Sequence, residues 1–177
     1  VKTSEENQNP MPGWKLNSAQ LDYNIYENEN FIPMGFTYDY YITESDFDQI
    51  AEEDRAAVLL RALVLPNKDS DSYSDILEHM PPEYYSDLSR KDFVNDCRNR
   101  RATAGTSFEI DRRGFTSTID LMRDNLVFFS VPYDQGWSAT VNGKSVPIQK
   151  TSVGFMSVRA PAGVNTIRFS YTAPGLY

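Results

Sequence analysis

The dipeptide Asn142-Gly143 sets the tightest limit on what this chain can fold into. Both residues tolerate the positive φ of a type I′ turn, whose twist matches that of the two strands it joins. Before it, Trp137, Ala139 and Val141 alternate with Ser138 and Thr140, as a half-buried strand requires. After it, Val146, Ile148 and Gln149 resume the strand. The same pattern recurs on both sides. Residues 126–131 are an apolar run rich in β-branched and aromatic side chains. Pro161-Ala162-Gly163 is a second turn, and residues 166–171 set Ile167, Phe169 and Tyr171 on one face. Residues 107–111 and 115–121 read as two further strands about Gly114. Short strands at this spacing predict an antiparallel β-sandwich, jelly-roll-like, formed mainly by the C-terminal half.

The N-terminal half reads differently. Residues 1–13 are polar with two prolines and read as loose or extended. Residues 21–26 and 31–42 read as extended, with Pro33 confining the second to an edge or a bend. A helix is expected from residues 43–45, with Ser45 and Asp48 resembling a capping box. Residues 54–65 continue a helical apolar period until Pro66 ends it. Residues 73–80 suggest a helical turn, and 87–101 a helix carrying Leu88, Phe93, Val94 and Cys97 near one side. The chain is therefore expected to be α+β and a single domain, 1–177. Its parts are an extended segment at 1–42, a helical insertion at 43–102 and a β-sandwich core at 103–177. The N-terminal strands are expected to join the C-terminal sheet, because lone strands are rarely stable.

Composition excludes several function classes. The net charge of −8 lacks the basic footprint of a nucleic-acid binder. It also disfavours a peripheral contact with anionic lipid, while leaving sugars and cation-bearing polymers open. No stretch approaches the eighteen apolar residues of a membrane-spanning helix, and the first residues lack a charged region followed by an apolar one. Cys97 is the only cysteine, so no internal disulfide forms. The 23 aromatic residues are ample for a β core or a sugar-facing surface. No pattern asks for a cofactor.

Two blocks of this sequence resemble a known family. One runs Tyr133-Asp134-x-Gly136-Trp137-x-Ala139-x-Val141-Asn142-Gly143-Lys144, then Gly154-Phe155-Met156. It continues as Pro161-x-Gly163-x-Asn165-x-Ile167-x-Phe169-x-Tyr171-x-x-Pro174-Gly175. The other is Tyr26-Glu27-Asn28-x-x-Phe31-Ile32-Pro33-Met34-Gly35-Phe36. Both look like the C-terminal extracytoplasmic part of the YfhO-like bacterial membrane proteins. Those resemble polytopic GT-C glycosyltransferases and are associated with glycosylating cell-surface polymers such as lipoteichoic acid. The resemblance implies a domain on the extracellular face of the bacterial membrane, with membrane helices elsewhere in the parent, before Val1 and shortly after Tyr177. It implies the rest of that protein as partner, with a surface polysaccharide or teichoic acid as the polymer contacted. It places donor activation on loops outside this chain, so no catalytic residue is carried over. The matched Gly136, Trp137, Asn142, Gly143, Gly163 and Pro174 read physically as turn and core residues.

The residues themselves offer few sites. His79 is the only histidine, with no nucleophile placed beside it by spacing, and Cys97 reads as a small buried thiol on a helix face. Asp39, Asp120 and Asp134 are carboxylates a glycosidase could use, but no spacing specifies the paired geometry. Asn67, Asp69, Asp71, Asp75 and Glu78 fall at positions 1, 3, 5, 9 and 12 of an EF-hand-like loop. Asn at the first position and Ser72 where glycine is wanted depart from it, and a solvated acidic loop is the plainer reading. Tyr133, Asp134, Gln135 and Trp137 could present an aromatic face and hydroxyl partners to a pyranose, as could Tyr38 and Tyr40 beside Asp39 and Tyr41. A core anchor suits Trp137 equally, and Asp134 and Gln135 are also turn formers. Arg98, Arg100, Arg101, Arg112 and Arg113 could meet phosphates or simply be solvated. Three readings result: a non-catalytic domain positioning a surface glycan, a bracing domain that binds no sugar, and a secreted glycan hydrolase.

Overall fold

The computed structural model describes residues 13–21, 23–85 and 89–175. The expectations for residues 1–12, and for Asp87 and Leu88 at a helix start, lie outside the described residues. Packing divides the chain between Ile32 and Pro33 into two compact units. In the first, β1 (Trp14–Gln20) and β2 (Tyr23–Asn28) form a two-stranded antiparallel sheet with a bulge between Leu16 and Ser18. These strands pair with each other rather than joining the C-terminal sheet, as the sequence had suggested.

The second unit opens with β3 (Phe36–Thr37) and β4 (Tyr40–Thr43), then α1 (Glu44–Gln49) and α2 (Glu52–Arg61). Thr43 caps α1, accepting from the Asp46 N–H while Asp46 accepts from the Thr43 N–H, so the capping box sits two residues earlier than Ser45 and Asp48. The helical period does not run on to Pro66. The φ and ψ of Ala62, −133° and 147°, end α2, and β5 (Ala62–Leu65) is a strand buried at every position. An apolar run covered on both faces suits a parallel strand, and β5 lies parallel to β4. A 3-10 helix over Asn67–Tyr73 leads to β6 (Glu78–His79), also parallel to β4. α3 (Arg90–Ala102) follows a shorter 3-10 turn, capped by a reciprocal Ser89–Asp92 box. The expected helical insertion thus holds a small three-stranded parallel sheet, with β4 at its centre. Ile42, Phe47, Ile50, Val58, Val64 and Met80 form its core.

The remainder is β7 (Ser107–Asp111), β8 (Gly114–Leu121), β9 (Asn125–Pro132), β10 (Trp137–Val141), β11 (Lys144–Val146), β12 (Gln149–Thr151), β13 (Phe155–Ala160) and β14 (Gly163–Tyr171). They form two antiparallel sheets, ordered β11-β10-β14-β8-β7 and β12-β13-β9-β3. One core joins them: Phe115 and Ile119 from β8, Phe129 from β9, Val141 from β10, Met156 and Val158 from β13, Ile167 and Phe169 from β14. The chain is α+β with a sandwich-like C-terminal half, as its sequence predicts.

Asn142 and Gly143 take φ of 52° and 77°, both in the left-handed region a type I′ turn requires. Asn142 does more than turn the chain. Its Oδ1 accepts from the Thr166 N–H at 2.9 Å, and its Nδ2 donates to Asn165 Oδ1 at 2.9 Å. Fully buried Asn165 donates to the Pro161 and Gly163 carbonyls at 2.7 and 2.8 Å. Two turns distant in sequence are thereby locked together, and every buried amide there has a partner.

Candidate functional site: an aromatic cleft at one end of the sandwich

Register brings the site together. Trp137 lies opposite Tyr171, Phe155 opposite Pro132, and Asp111 opposite Gly114. The β7–β8 turn, the β9–β10 loop and the end of β14 therefore meet at one end of the two sheets. The Tyr171 N–H donates to the Arg113 carbonyl at 2.7 Å, and the Thr172 N–H to that of Gly136 at 2.9 Å. Between them opens a cleft of about 640 Å³.

Its floor is aromatic. Trp137 is half-buried, its ring 5.7 Å from Phe115 and 5.0 Å from Tyr171. Phe115 continues the array to Phe108 at 5.1 Å and to Phe169 at 4.7 Å, where the rings stack. Gly136 permits the close approach: a Cβ there would stand 2.5 Å from the Thr172 carbonyl oxygen and 2.7 Å from the Tyr171 ring.

The polar rim has both signs of charge. Asp134 Oδ1 accepts from the Gly136 N–H at 2.7 Å, which fixes the carboxylate at the lip. Partial burial, then the hydrogen bond to Asp134 and its negative charge, raise the pKa of the Tyr171 hydroxyl and keep it a donor. On the opposite lip Asp111 is bound to Arg168 at 2.6 Å and accepts from the Arg113 N–H at 2.7 Å. The hydrogen bond from Arg168 holds its carboxyl below the usual range, followed by that from Arg113. The exposed side chains of Arg112 and Arg113 line the cleft beside it.

The structure sorts the sequence candidates. Trp137 and Asp134 line the cleft, while Tyr133 and Gln135 are exposed on the loop beside it. Trp137 is both core anchor and cleft floor. Tyr38 does not stand on a contact surface: it is 2% exposed, and its hydroxyl donates to the Leu59 carbonyl at 2.7 Å. Tyr40 is half-buried against the parallel-sheet core. The alternation assumed for that pair fails because β3 and β4 are separate strands in different sheets. Arg100 likewise leaves the solvated charge run. It is buried, donates to the Thr37 carbonyl and places its guanidinium 4.7 Å from the Tyr38 ring centre.

The acidic loop does not converge on a cation. Residues 67–73 wind into a 3-10 helix, Asp69 accepts from Gln149 at 3.0 Å, and Asp75 pairs with Arg159 at 2.5 Å. Glu78 lies in β6, and Asp71 is exposed. Among the described residues no group of three metal-ligating side chains forms. Of the carboxylates considered for hydrolysis, Asp39 binds Arg123 at 2.8 Å and lines a separate pocket with Asp120, away from Asp134. His79 pairs with Asp46 at 2.9 Å, within the α1 cap. Tyr171, Phe108 and Met34 join the cleft without having been singled out. The pairing of β10 with β14 is the signal that would have found Tyr171, and it spans more than thirty residues of sequence.

Among the described residues, no helix is long and apolar enough to cross a membrane. The family Bacterial membrane protein YfhO matches residues 87–177. The uncharacterized protein YfhO of Bacillus subtilis (strain 168) is 30% identical over 64 residues, which are 36% of this chain and 7% of that protein. The chain thus spans a small fraction of the curated relative it matches. No solved structure matches. The match over half the chain takes in the whole sandwich from β7 onward, and the chain belongs to the YfhO family of bacterial membrane proteins.

Proposed function

We propose that this is a non-catalytic, extracytoplasmic domain of a larger YfhO-type membrane protein, and that it recognises or positions a cell-surface glycan or teichoic-acid acceptor for glycosylation. The single observation behind this reading is the cleft, where Trp137 and Tyr171 offer aromatic faces beside the Asp134 carboxylate. An aromatic face takes the C–H side of a sugar or polyol, and a fixed carboxylate accepts from its hydroxyls. The family supplies the setting, a membrane protein of which this domain is a part.

The experiment is a fluorescence titration of the Trp14→Phe chain, in which Trp137 is the remaining indole. Soluble cell-wall saccharides and glycerol-phosphate oligomers should shift its emission saturably, and Asp134→Asn should weaken the response. A second reading, a domain that braces its parent and binds no sugar, draws on the packing of Trp137 against Phe115 and Phe169. No response to any of these ligands would favour it. Turnover of a glycan by the isolated chain would instead support a hydrolase.

A further inference from the structure

The two ends of the sandwich differ in charge and in what they expose. At the cleft end Ile110 is 77% exposed, Val153 73% and Tyr133 42%. Val153 holds φ of 65°, a conformation β-branched residues avoid, with its side chain out in solvent. Its turn adjoins the cleft lip, since the Tyr133 N–H donates to the Gly154 carbonyl at 2.8 Å. Arg112 and Arg113 form no ion pair among the described residues, whereas Asp111 beside them is already taken by Arg168. At the opposite end the balance reverses. Arg123 is bound to Asp39 and Arg159 to Asp75, while Asp120 and Asp124 stand beside exposed Met122. The net charge of −8 is thus unevenly placed, with unneutralised guanidinium at the cleft end.

We propose that the cleft end of the sandwich rests on an anionic bilayer surface, with Arg112 and Arg113 at lipid phosphates and Ile110, Tyr133 and Val153 in the headgroup layer. Charge complementarity selects this occupant. Basic side chains at a membrane surface are drawn to anionic headgroups, and tyrosine and tryptophan favour the interface. The acidic end then points away from the membrane, which answers the objection raised by the whole-chain charge. The contact is independent of whether the cleft also holds a saccharide.

The test uses the Trp14→Phe chain with equimolar phosphatidylglycerol–phosphatidylcholine vesicles brominated high in the acyl chain. Trp137 fluorescence should be quenched on vesicle addition. Arg112→Ala with Arg113→Ala should lower the partition coefficient about tenfold or more, the effect of two basic side chains near an anionic surface. Ile110→Asp should weaken it too, and Arg123→Ala at the far end should leave it unchanged. All four positions are exposed, and thermal melting verifies that each variant folds. No quenching overturns the proposal, as does quenching equal in the double arginine variant and the parent. Saccharide titration without vesicles is a separate measurement, so failure of the glycan reading and failure of the docking are told apart.

Discussion

The C-terminal sandwich and the segment containing the parallel sheet are held together by different kinds of pairing. In the sandwich, consecutive strands pair through short turns: β7 with β8, β10 with β11, β12 with β13. In the other segment β4 reaches β5 across two helices, and β6 across more still. The first kind of contact is announced locally by turn residues and by a period of two. The second is set by what happens to cover the strand. The comparison teaches that the site belongs to the first kind of architecture with one long-range addition, the β10–β14 pair that sets Tyr171 against Trp137.

If the sandwich core is the dominant source of stability, Phe169→Ala should have the largest effect. Phe169 is fully buried and touches Phe115, Phe129 and Trp137, so its loss should cost about 3–5 kcal/mol in denaturant unfolding. A loss as small as that of an exposed side chain would place the core elsewhere. Gly136→Ala is expected next, at about 1–3 kcal/mol, because its Cβ would overlap the Thr172 carbonyl and the Tyr171 ring. It should also shift Trp137 emission, which a mere loss of turn propensity would leave alone. Gly143→Val isolates the backbone term, since no atom lies within 4 Å of a Cβ there but φ is 77°. A cost of about 1–2 kcal/mol is expected, and an unchanged melting temperature would contradict the type I′ turn.

The smallest effects should fall in the other segment. Thr43→Ala removes the α1 cap and should cost about 1 kcal/mol. Partial burial works against ionisation of Asp46, but hydrogen bonds from Thr43 and His79 outweigh it and hold its pKa below the usual range. Its folded pKa therefore lies below its unfolded one. The stability it lends is complete above the unfolded value and is lost as pH falls through the folded value. Asp92 in the α3 cap is lowered first by the Ser89 hydroxyl and behaves the same way. Acid titration followed by far-ultraviolet circular dichroism should show helical signal lost in the acid range below the ordinary carboxylate pKa. Asp46→Asn should flatten that limb, and an unaltered acid profile would remove the cap from the account.

What the sequence disclosed follows the same division. Asn142-Gly143 and the alternation from Trp137 to Val141 appear in the structure as read, because each is a local requirement. Ala62–Leu65 was read as helix because it continues the apolar period of α2; only burial on both faces makes it a strand. Arg100 looked like a solvated helix end, and its burial depends on Thr37 and Tyr38, more than sixty residues away. For the cleft, Trp137 and Asp134 were legible as a loop-borne aromatic and carboxylate. Tyr38 was not excluded, because alternation cannot see that the chain changes sheets between Thr37 and Tyr40.

The central claim is that ligand contact occurs at the aromatic cleft and nowhere else on the sandwich. Amide and side-chain chemical shifts of the labelled chain, followed as a soluble teichoic-acid or cell-wall saccharide is added, address it most directly. The account predicts saturable shifts centred on Tyr133, Asp134, Trp137 and Tyr171, with the Asn142–Asn165 turn at the far end silent. Shifts centred at that far end, or a spectrum untouched by every such ligand, would contradict it.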